Sequence, residues 1–279
     1  MNTVKLNNGV EMPQIGYGVY RVSPAECERC VSDALQVGYR MIDTAQAYHN
    51  EEGVGNALRR SGIPRGEVFL VSKVWISNYG YEKAKASIDE SLRRLQTDYI
   101  DLMLLHQPFC DRYGAYRALE EAYKEGKLRA IGVSNFYPDH FIDIASNMEI
   151  VPAVNQVETH VFDQQIEPQR IMEEFGTRIM SWGPLAEGRN GLFTNPVLAR
   201  IGGKYGKSVA QVALRWLVQR GVIIIPKSTH TERMRQNIDI FDFSLSDEDM
   251  AAIAALDTGR SLFFDHHDAE TARMFMGWR

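Results

Sequence analysis

The sequence predicts an α/β fold, a (β/α)8 TIM barrel with a short N-terminal β-hairpin and extra C-terminal helices. Eight short apolar runs recur along the chain, amphipathic stretches of helical period separate them, and no GxGxxG follows any run. Eight strands joined by right-handed helical crossovers close most naturally into a barrel, whereas an open doubly wound sheet usually carries about five or six strands and a glycine-rich first turn. The 279 residues suit one such barrel, so residues 1–279 read as a single domain without linker or low-complexity tract.

The hairpin comes first. Residues 4–6 and 10–12 flank Asn7-Asn8-Gly9, whose Asn and Gly tolerate the positive φ of a tight turn. Strands are expected over 14–18, 39–43, 68–72, 100–105, 130–134, 153–157, 178–181 and 222–225. Helices are expected over 25–37, 53–60, 81–95, 115–125, 138–146, 166–175 and 208–219, followed by 231–240 and 246–256, the last opening on an acidic turn after Ser246. Several end at a glycine, as at Gly38 and Gly221, where the chain needs a left-handed residue to leave the helix.

Composition narrows the function classes. The chain is 44% hydrophobic, enough for a sizeable core, and its net charge of -5 offers no general attraction to nucleic acid. The opening residues hold no apolar run long enough for a signal peptide, and no segment approaches the roughly 20 apolar residues of a membrane span, so a cytoplasmic protein is expected. Cys27, Cys30 and Cys110 cannot make a disulfide framework. The CxxC of Cys27 and Cys30 falls in an expected helix without a second pair or a nearby His, and His266-His267 lacks a third ligand, so no metal site is expected.

Barrel active sites are built at the C-terminal ends of the strands, and the residues closing the apolar runs here are unusually polar. They are Asp43, Lys73, His106, Ser134 with Asn135, Gln156, Trp182 and Lys227. A lone His or Lys at such a place has a plain structural explanation, whereas consecutive strands ending in this series point to an enzyme.

The residues also carry a family resemblance. Asp43 and Tyr48 in Met41-Ile42-Asp43-Thr44-Ala45-Gln46-Ala47-Tyr48, Lys73 in Leu70-Val71-Ser72-Lys73-Val74-Trp75 and His106 in Asp101-Leu102-Met103-Leu104-Leu105-His106 look like the aldo-keto reductase tetrad. Gly132-Val133-Ser134-Asn135-Phe136, Gln156, Ser181-Trp182-Gly183-Pro184-Leu185 and Ile225-Pro226-Lys227-Ser228 are similar to the family's cofactor-binding segments. The likeness runs in the family's order from residue 4 to about 265, and it is nearest to bacterial 2,5-diketogluconate and glyoxal or methylglyoxal reductases. Two departures stand out. Gln107 occupies the place of a frequent Trp, with a short 107–114 stretch behind it, and Trp182 occupies a stacking position that is often Tyr.

The resemblance implies NADPH-dependent reduction of aldehydes, ketones, keto-acids or keto-sugars. Hydride addition to a carbonyl creates an alkoxide, which needs a proton donor. That role falls to Tyr48, whose hydroxyl, near pKa 10 when unperturbed, Lys73 is expected to lower, with Asp43 balancing the lysine and His106 orienting the substrate oxygen. A merely structural Asp43 to Lys73 pair is the weaker reading, because burying such a pair commonly gives little net stability. Ser134, Asn135 and Gln156 would grip the nicotinamide carboxamide and Trp182 would stack on its ring, with Pro184 and Leu185 beside it. Lys227, Ser228 and Arg233 would hold the 2′-phosphate at a helix start, and Asn237 would reach the adenine. Tyr20, Tyr48, Trp75 and either Phe109 or the C-terminal Phe263 and Phe264 are expected to line the substrate mouth, left open by the short loop, in a monomer or weak dimer. Two rival readings remain, an NADP(H)-sensing subunit with vestigial chemistry and a cofactor-free barrel isomerase or aldolase using Lys73. The intact tetrad argues against the first.

Overall fold

The structure is a computed structural model that describes residues 2–279. Its first element is an antiparallel hairpin of β1 (Thr3–Lys5) and β2 (Glu11–Pro13), with Val4 opposite Met12. The turn between them holds Gly9 at φ 88, a left-handed value that glycine adopts without a Cβ clash.

The barrel follows. Its strands are β3 (Tyr17–Gly18), β4 (Met41–Asp43), β5 (Phe69–Val74), β6 (Leu102–Leu105), β7 (Ile131–Ser134), β8 (Val154–Glu158), β9 (Arg178–Trp182) and β10 (Ile223–Ile224), all parallel and neighbouring in sequence order. The two ends of the sheet meet. Ile15 bridges Ile224 in parallel, and Gly16 and Gly18 donate to the carbonyls of Ile224 and Pro226. The first strand is shorter than the expected 14–18, because only its last two residues pair regularly with β4.

Helices cover the outside: α1 (Pro24–Val37), α2 (Glu51–Arg60), α3 (Tyr81–Leu95), α4 (Arg112–Lys124), α5 (Pro138–Asn147), α6 (Ile166–Glu174), α7 (Pro196–Tyr205), α8 (Val209–Gln219), α9 (Thr231–Ile238), α10 (Asp247–Ala254) and α11 (Ala269–Met276). Local chemistry explains their ends. Pro24 opens α1 where its missing N–H costs nothing, and Gly38 at φ 117 closes it. Ser208 and Gln211 form a reciprocal capping box on α8. Two helices, α7 and α11, were not anticipated. Asn195 before Pro196 caps α7, and the Asp268 carboxylate accepts from the Thr271 amide to cap α11.

Two apolar layers result. One lies between strands and helices, and the other fills the barrel with Met41, Phe69, Val71, Leu102, Leu104, Val154, Met180 and Ile223, stoppered below by Leu6 and Met12 of the hairpin. Gly132 lies on that inner face, where a Cβ would sit 2.3 Å from the Val154 carbonyl oxygen. Any larger residue there would push β7 from β8.

Candidate active site

Side chains alternate across a strand, so the inner column of each strand predicts what emerges at its C-terminal end. Met41 faces inward, and two residues on stands Asp43; Phe69 and Val71 lead to Lys73, Leu102 and Leu104 to His106, Val154 to Gln156, and Met180 to Trp182. The apolar filling of the barrel thus ends in a polar roof. Above it opens a cavity of about 1370 Å³ that Asp43, Tyr48, Trp75, His106, Gln107, Ser134, Asn135, Gln156, Trp182, Pro184, Leu185 and Lys227 all line.

Lys73 is fully buried at the centre of this roof. Its Nζ donates to Asp43 Oδ1 at 2.6 Å and to the Thr44 carbonyl at 3.0 Å, and lies 3.4 Å from Tyr48 Oη. The second Asp43 oxygen accepts from Gln156 Nε2 at 2.9 Å, so β8 reaches across the barrel to hold the carboxylate. Tyr48 sits in a short 3-10 turn, Gln46–Tyr48, with its ring edge-on to His106 at 5.6 Å.

Burial decides the electrostatics. It lowers the Lys73 ammonium against the upward pull of Asp43. It also holds the His106 imidazole well below its usual value, with the Lys73 charge adding, so His106 is neutral at physiological pH. The Tyr48 hydroxyl moves the opposite way from expectation, well above the usual tyrosine value through burial, then the charges of Asp43 and Tyr20. Asp43 at 2.6 Å offsets the lysine's field before it acts on the phenol 3.4 Å away. Tyr48 therefore keeps its proton rather than shedding it.

The residues expected to touch a cofactor are partly engaged with each other. Ser134 Oγ donates to the Gln156 carbonyl at 2.8 Å, and Asn135 Nδ2 donates to the His106 carbonyl at 3.1 Å. Asn135 Oδ1 accepts from Trp182 Nε1 at 2.8 Å, which fixes the indole plane over the cavity. Lys227 is exposed on the cavity wall, and Arg233 is exposed in the first turn of α9. Arg233 and the buried Asn237 lie one turn apart on one face of that helix. Ser228 is buried, its hydroxyl accepting from the His230 amide at 3.1 Å, so it shapes the turn before α9.

On the substrate side Tyr20 and Trp75 line the cavity, Tyr20 5.1 Å from the Tyr48 ring and Trp75 5.0 Å from His106. Phe109 does not line it. It is covered by α11, its ring stacked 5.5 Å from Phe275, because the helix places Phe275 between Phe109 and the pocket. The mouth is also less open than the short 107–114 stretch suggests, since Phe263, Phe264, Phe275 and Trp278 of the C-terminal tail supply a wall.

Sequence reading missed other cavity residues. Gln46 accepts from the Trp75 amide and from Asn78 Nδ2, both at 2.9 Å, and so holds the Trp75 turn. Arg21 and Glu187 pair at 2.8 Å across the mouth, joining the loops after β3 and β9. Only α11 had a visible signal, the Asp268-x-x-Thr271 cap before an apolar-striped stretch. Among the described residues no cluster of His, Cys, Asp and Glu could hold a metal, and the cysteines are free. Among the described residues no helix is long and apolar enough to cross a membrane.

A closed parallel barrel whose strand ends gather a phenol, a buried ion pair and an imidazole around one cavity has the architecture of a barrel enzyme. Residues 6–258 match the Aldo/keto reductase family, and the chain belongs to it, which makes it an oxidoreductase. Glyoxal reductase of Bacillus subtilis is 50% identical over 257 residues, spanning 91% of this chain and 92% of that protein. Among solved structures, an aldo-keto reductase from a Medee basin deep-sea metagenome library is 42% identical with a TM-score of 0.93, over 95% of this chain and 99% of that one. The Bombyx mori aldo-keto reductase in complex with NADP is 32% identical with a TM-score of 0.90, over 98% and 96% of the two chains.

Proposed function

We propose that this protein reduces aldehydes, ketones, keto-acids or keto-sugars to alcohols with NADPH, Tyr48 supplying the proton. The observation that carries this reading is the Tyr48 hydroxyl held 3.4 Å from the buried Lys73, with the His106 ring edge-on to it at 5.6 Å. The site fits the cofactor. Its volume of about 1370 Å³ exceeds the roughly 300–1,000 Å³ of an ordinary ligand pocket, leaving room for a dinucleotide and a small substrate together. Lys227 lines the cavity at one end and Arg233 follows it in the first turn of α9, neither with a carboxylate partner among the described residues, and we take these two cations as the setting for the 2′-phosphate. At the other, the fixed indole of Trp182 offers a flat face for the nicotinamide.

When bound, NADPH supplies the hydride that goes to the carbonyl carbon. Tyr48 donates its proton to the carbonyl oxygen as charge develops there. Lys73, 3.4 Å away, stabilises the phenolate left behind, and Asp43 and Gln156 hold the lysine in place. His106, neutral, donates a hydrogen bond that orients the substrate oxygen. Pro184 and Leu185 close the cofactor's side, and Tyr20 and Trp75 exclude water from the substrate. This reading takes residues 1–279 as one catalytic domain, a cytoplasmic monomer or weak dimer acting on small molecules.

The test is loss of NADPH absorbance with a panel of aldehydes, ketones and keto-acids. Tyr48→Phe should bind NADPH while losing about 10²-fold or more in kcat. Near-wild-type turnover by that variant would sink the mechanism, and no turnover by the parent enzyme would sink the function.

A further inference from the structure

Two buried tyrosines take no part in the reaction chemistry, yet both reach the segment that carries Lys227 and Arg233. Tyr17 of β3 donates from its hydroxyl to the Ser228 carbonyl at 2.6 Å, and Tyr39, shortly before β4, donates to the Met234 carbonyl at 3.0 Å. Both residues are fully buried, and their rings meet at 5.8 Å. Burial raises both hydroxyls above the usual tyrosine value, with Cys30 raising Tyr17 further, so each keeps the proton it donates. A phenylalanine would fill either space. What the hydroxyl adds is a directed bond to a backbone carbonyl.

The carbonyls they hold belong to the immediate neighbours of the two cations. Lys227 is gripped on both sides, since the Gly18 amide donates to the Pro226 carbonyl at 3.3 Å while the preceding Tyr17 holds Ser228. Arg233 stands in the first turn of α9, which runs only from Thr231 to Ile238, and a helix that short takes its place from tertiary contacts rather than from its own hydrogen bonds. Tyr39 supplies one such contact next to Arg233. The Thr231 hydroxyl supplies another, donating to Asp33 Oδ2 of α1 at 3.3 Å. Because the Lys227 and Arg233 side chains are exposed and long, the backbone beneath them decides where their charges can meet. The contacting rings of Tyr17 and Tyr39 join the two grips into one packed block.

We propose that Tyr17 and Tyr39 are positioning residues for cofactor selection: through Ser228 and Met234 they set the spacing between Lys227 and Arg233, so that both cations reach one phosphate monoester on the cofactor's ribose. The inference rests on the NADPH reading above and names the residues that make its cation pair selective. A guanidinium engages two phosphate oxygens only in a narrow range of geometry, and a misplacement of about 1 Å forfeits much of that fit. NADH carries a hydroxyl at the same position and has no such requirement. Neither tyrosine lines the cavity, so both act through the backbone and not on the cofactor itself.

The test measures dissociation constants for NADPH and NADH, by quenching of tryptophan fluorescence, in Tyr17→Phe and Tyr39→Phe and in the pairs Tyr17→Phe with Lys227→Ala and Tyr39→Phe with Arg233→Ala. Each single tyrosine variant should weaken NADPH roughly 3- to 10-fold and leave NADH within about 2-fold. Once the cation is gone, the matching tyrosine variant should cost nothing further, because the charge it positions is absent. Equal weakening of both cofactors, unchanged NADPH affinity in both variants, or a tyrosine effect that persists in full without its cation would overturn the proposal and leave the reductase reading standing. The two tyrosines are separate trials, so misfolding of one variant leaves the other to decide. Failure of Arg233→Ala and Lys227→Ala themselves to weaken NADPH would instead overturn the phosphate assignment on which the proposal depends.

Discussion

Lys73 and Asp43 meet at 2.6 Å with their side chains 0% and 2% exposed, an ion pair fully enclosed at the top of two neighbouring strands. Such a pair is a poor source of stability, because desolvation of the two charges offsets their attraction, yet removing one partner leaves a buried charge. Lys73→Met should therefore destabilise the protein by about 3–5 kcal/mol in urea unfolding and abolish turnover. The double variant Lys73→Met with Asp43→Leu should recover most of that stability and none of the activity. Recovery of activity would show that the pair only supports the barrel.

Cofactor choice is expected to depend on the two unpaired cations near α9. A charge-assisted hydrogen bond is worth roughly 1.5–3 kcal/mol, so Arg233→Ala should weaken NADPH by about 10- to 100-fold and leave NADH little changed. Lys227→Ala should act in the same direction less sharply, since an ammonium is a point charge and a guanidinium can engage two phosphate oxygens. Dissociation constants from quenching of Trp182 fluorescence measure this. Parallel weakening of both cofactors would mean that Arg233 supports only the helix.

The C-terminal tail is tied to β8 by one buried carboxylate. Glu158 accepts from Ser261 Oγ at 2.5 Å and from the Leu262 amide at 2.8 Å, holding the segment that carries Phe263 and Phe264. Truncation after Gly259 should raise KM across substrates several-fold more than it raises the Kd for NADPH. Similar losses in both would place the tail over the cofactor instead.

Burial of His266 also predicts an acid-linked stability difference. Its imidazole falls from the ordinary 6.5 to about 4, through burial first, with His267 lowering it further and the Phe264 carbonyl, Glu158 and Asp265 opposing. The unfolded chain then binds the extra proton between those values, so this contribution is present above about 6.5 and is lost as pH falls to about 4. His266→Phe lacks it. The stability of the parent relative to the variant should drop with acidification across that window, read as urea midpoints at several pH values, and a constant difference would refute it.

Much of the fold and of the central site was legible because period-two alternation is local. Met41 facing in requires Asp43 to face in, and the same parity carries Lys73, His106, Gln156 and Trp182 to the mouth. Boundaries were less legible. β5 runs on to Val74 rather than stopping at Ser72, because Lys73 and Val74 still pair with Leu104 and Leu105. Adjacency to a lysine suggests a lowered Tyr48 hydroxyl, whereas burial, with Asp43 and Tyr20 adding, pushes it up.

By itself the sequence determined the strand count and the barrel, which follow from short-range pattern, while the family and its four central residues came from the resemblance of its motifs. Only the tertiary structure decided what Phe109, Gln107 and His266 do. Phe109 is hidden because α11 lies over it, and Gln107 is oriented because a histidine 159 residues later reaches it. Contacts between segments so distant are set by how the tail folds back across the barrel, a geometry that no local periodicity encodes.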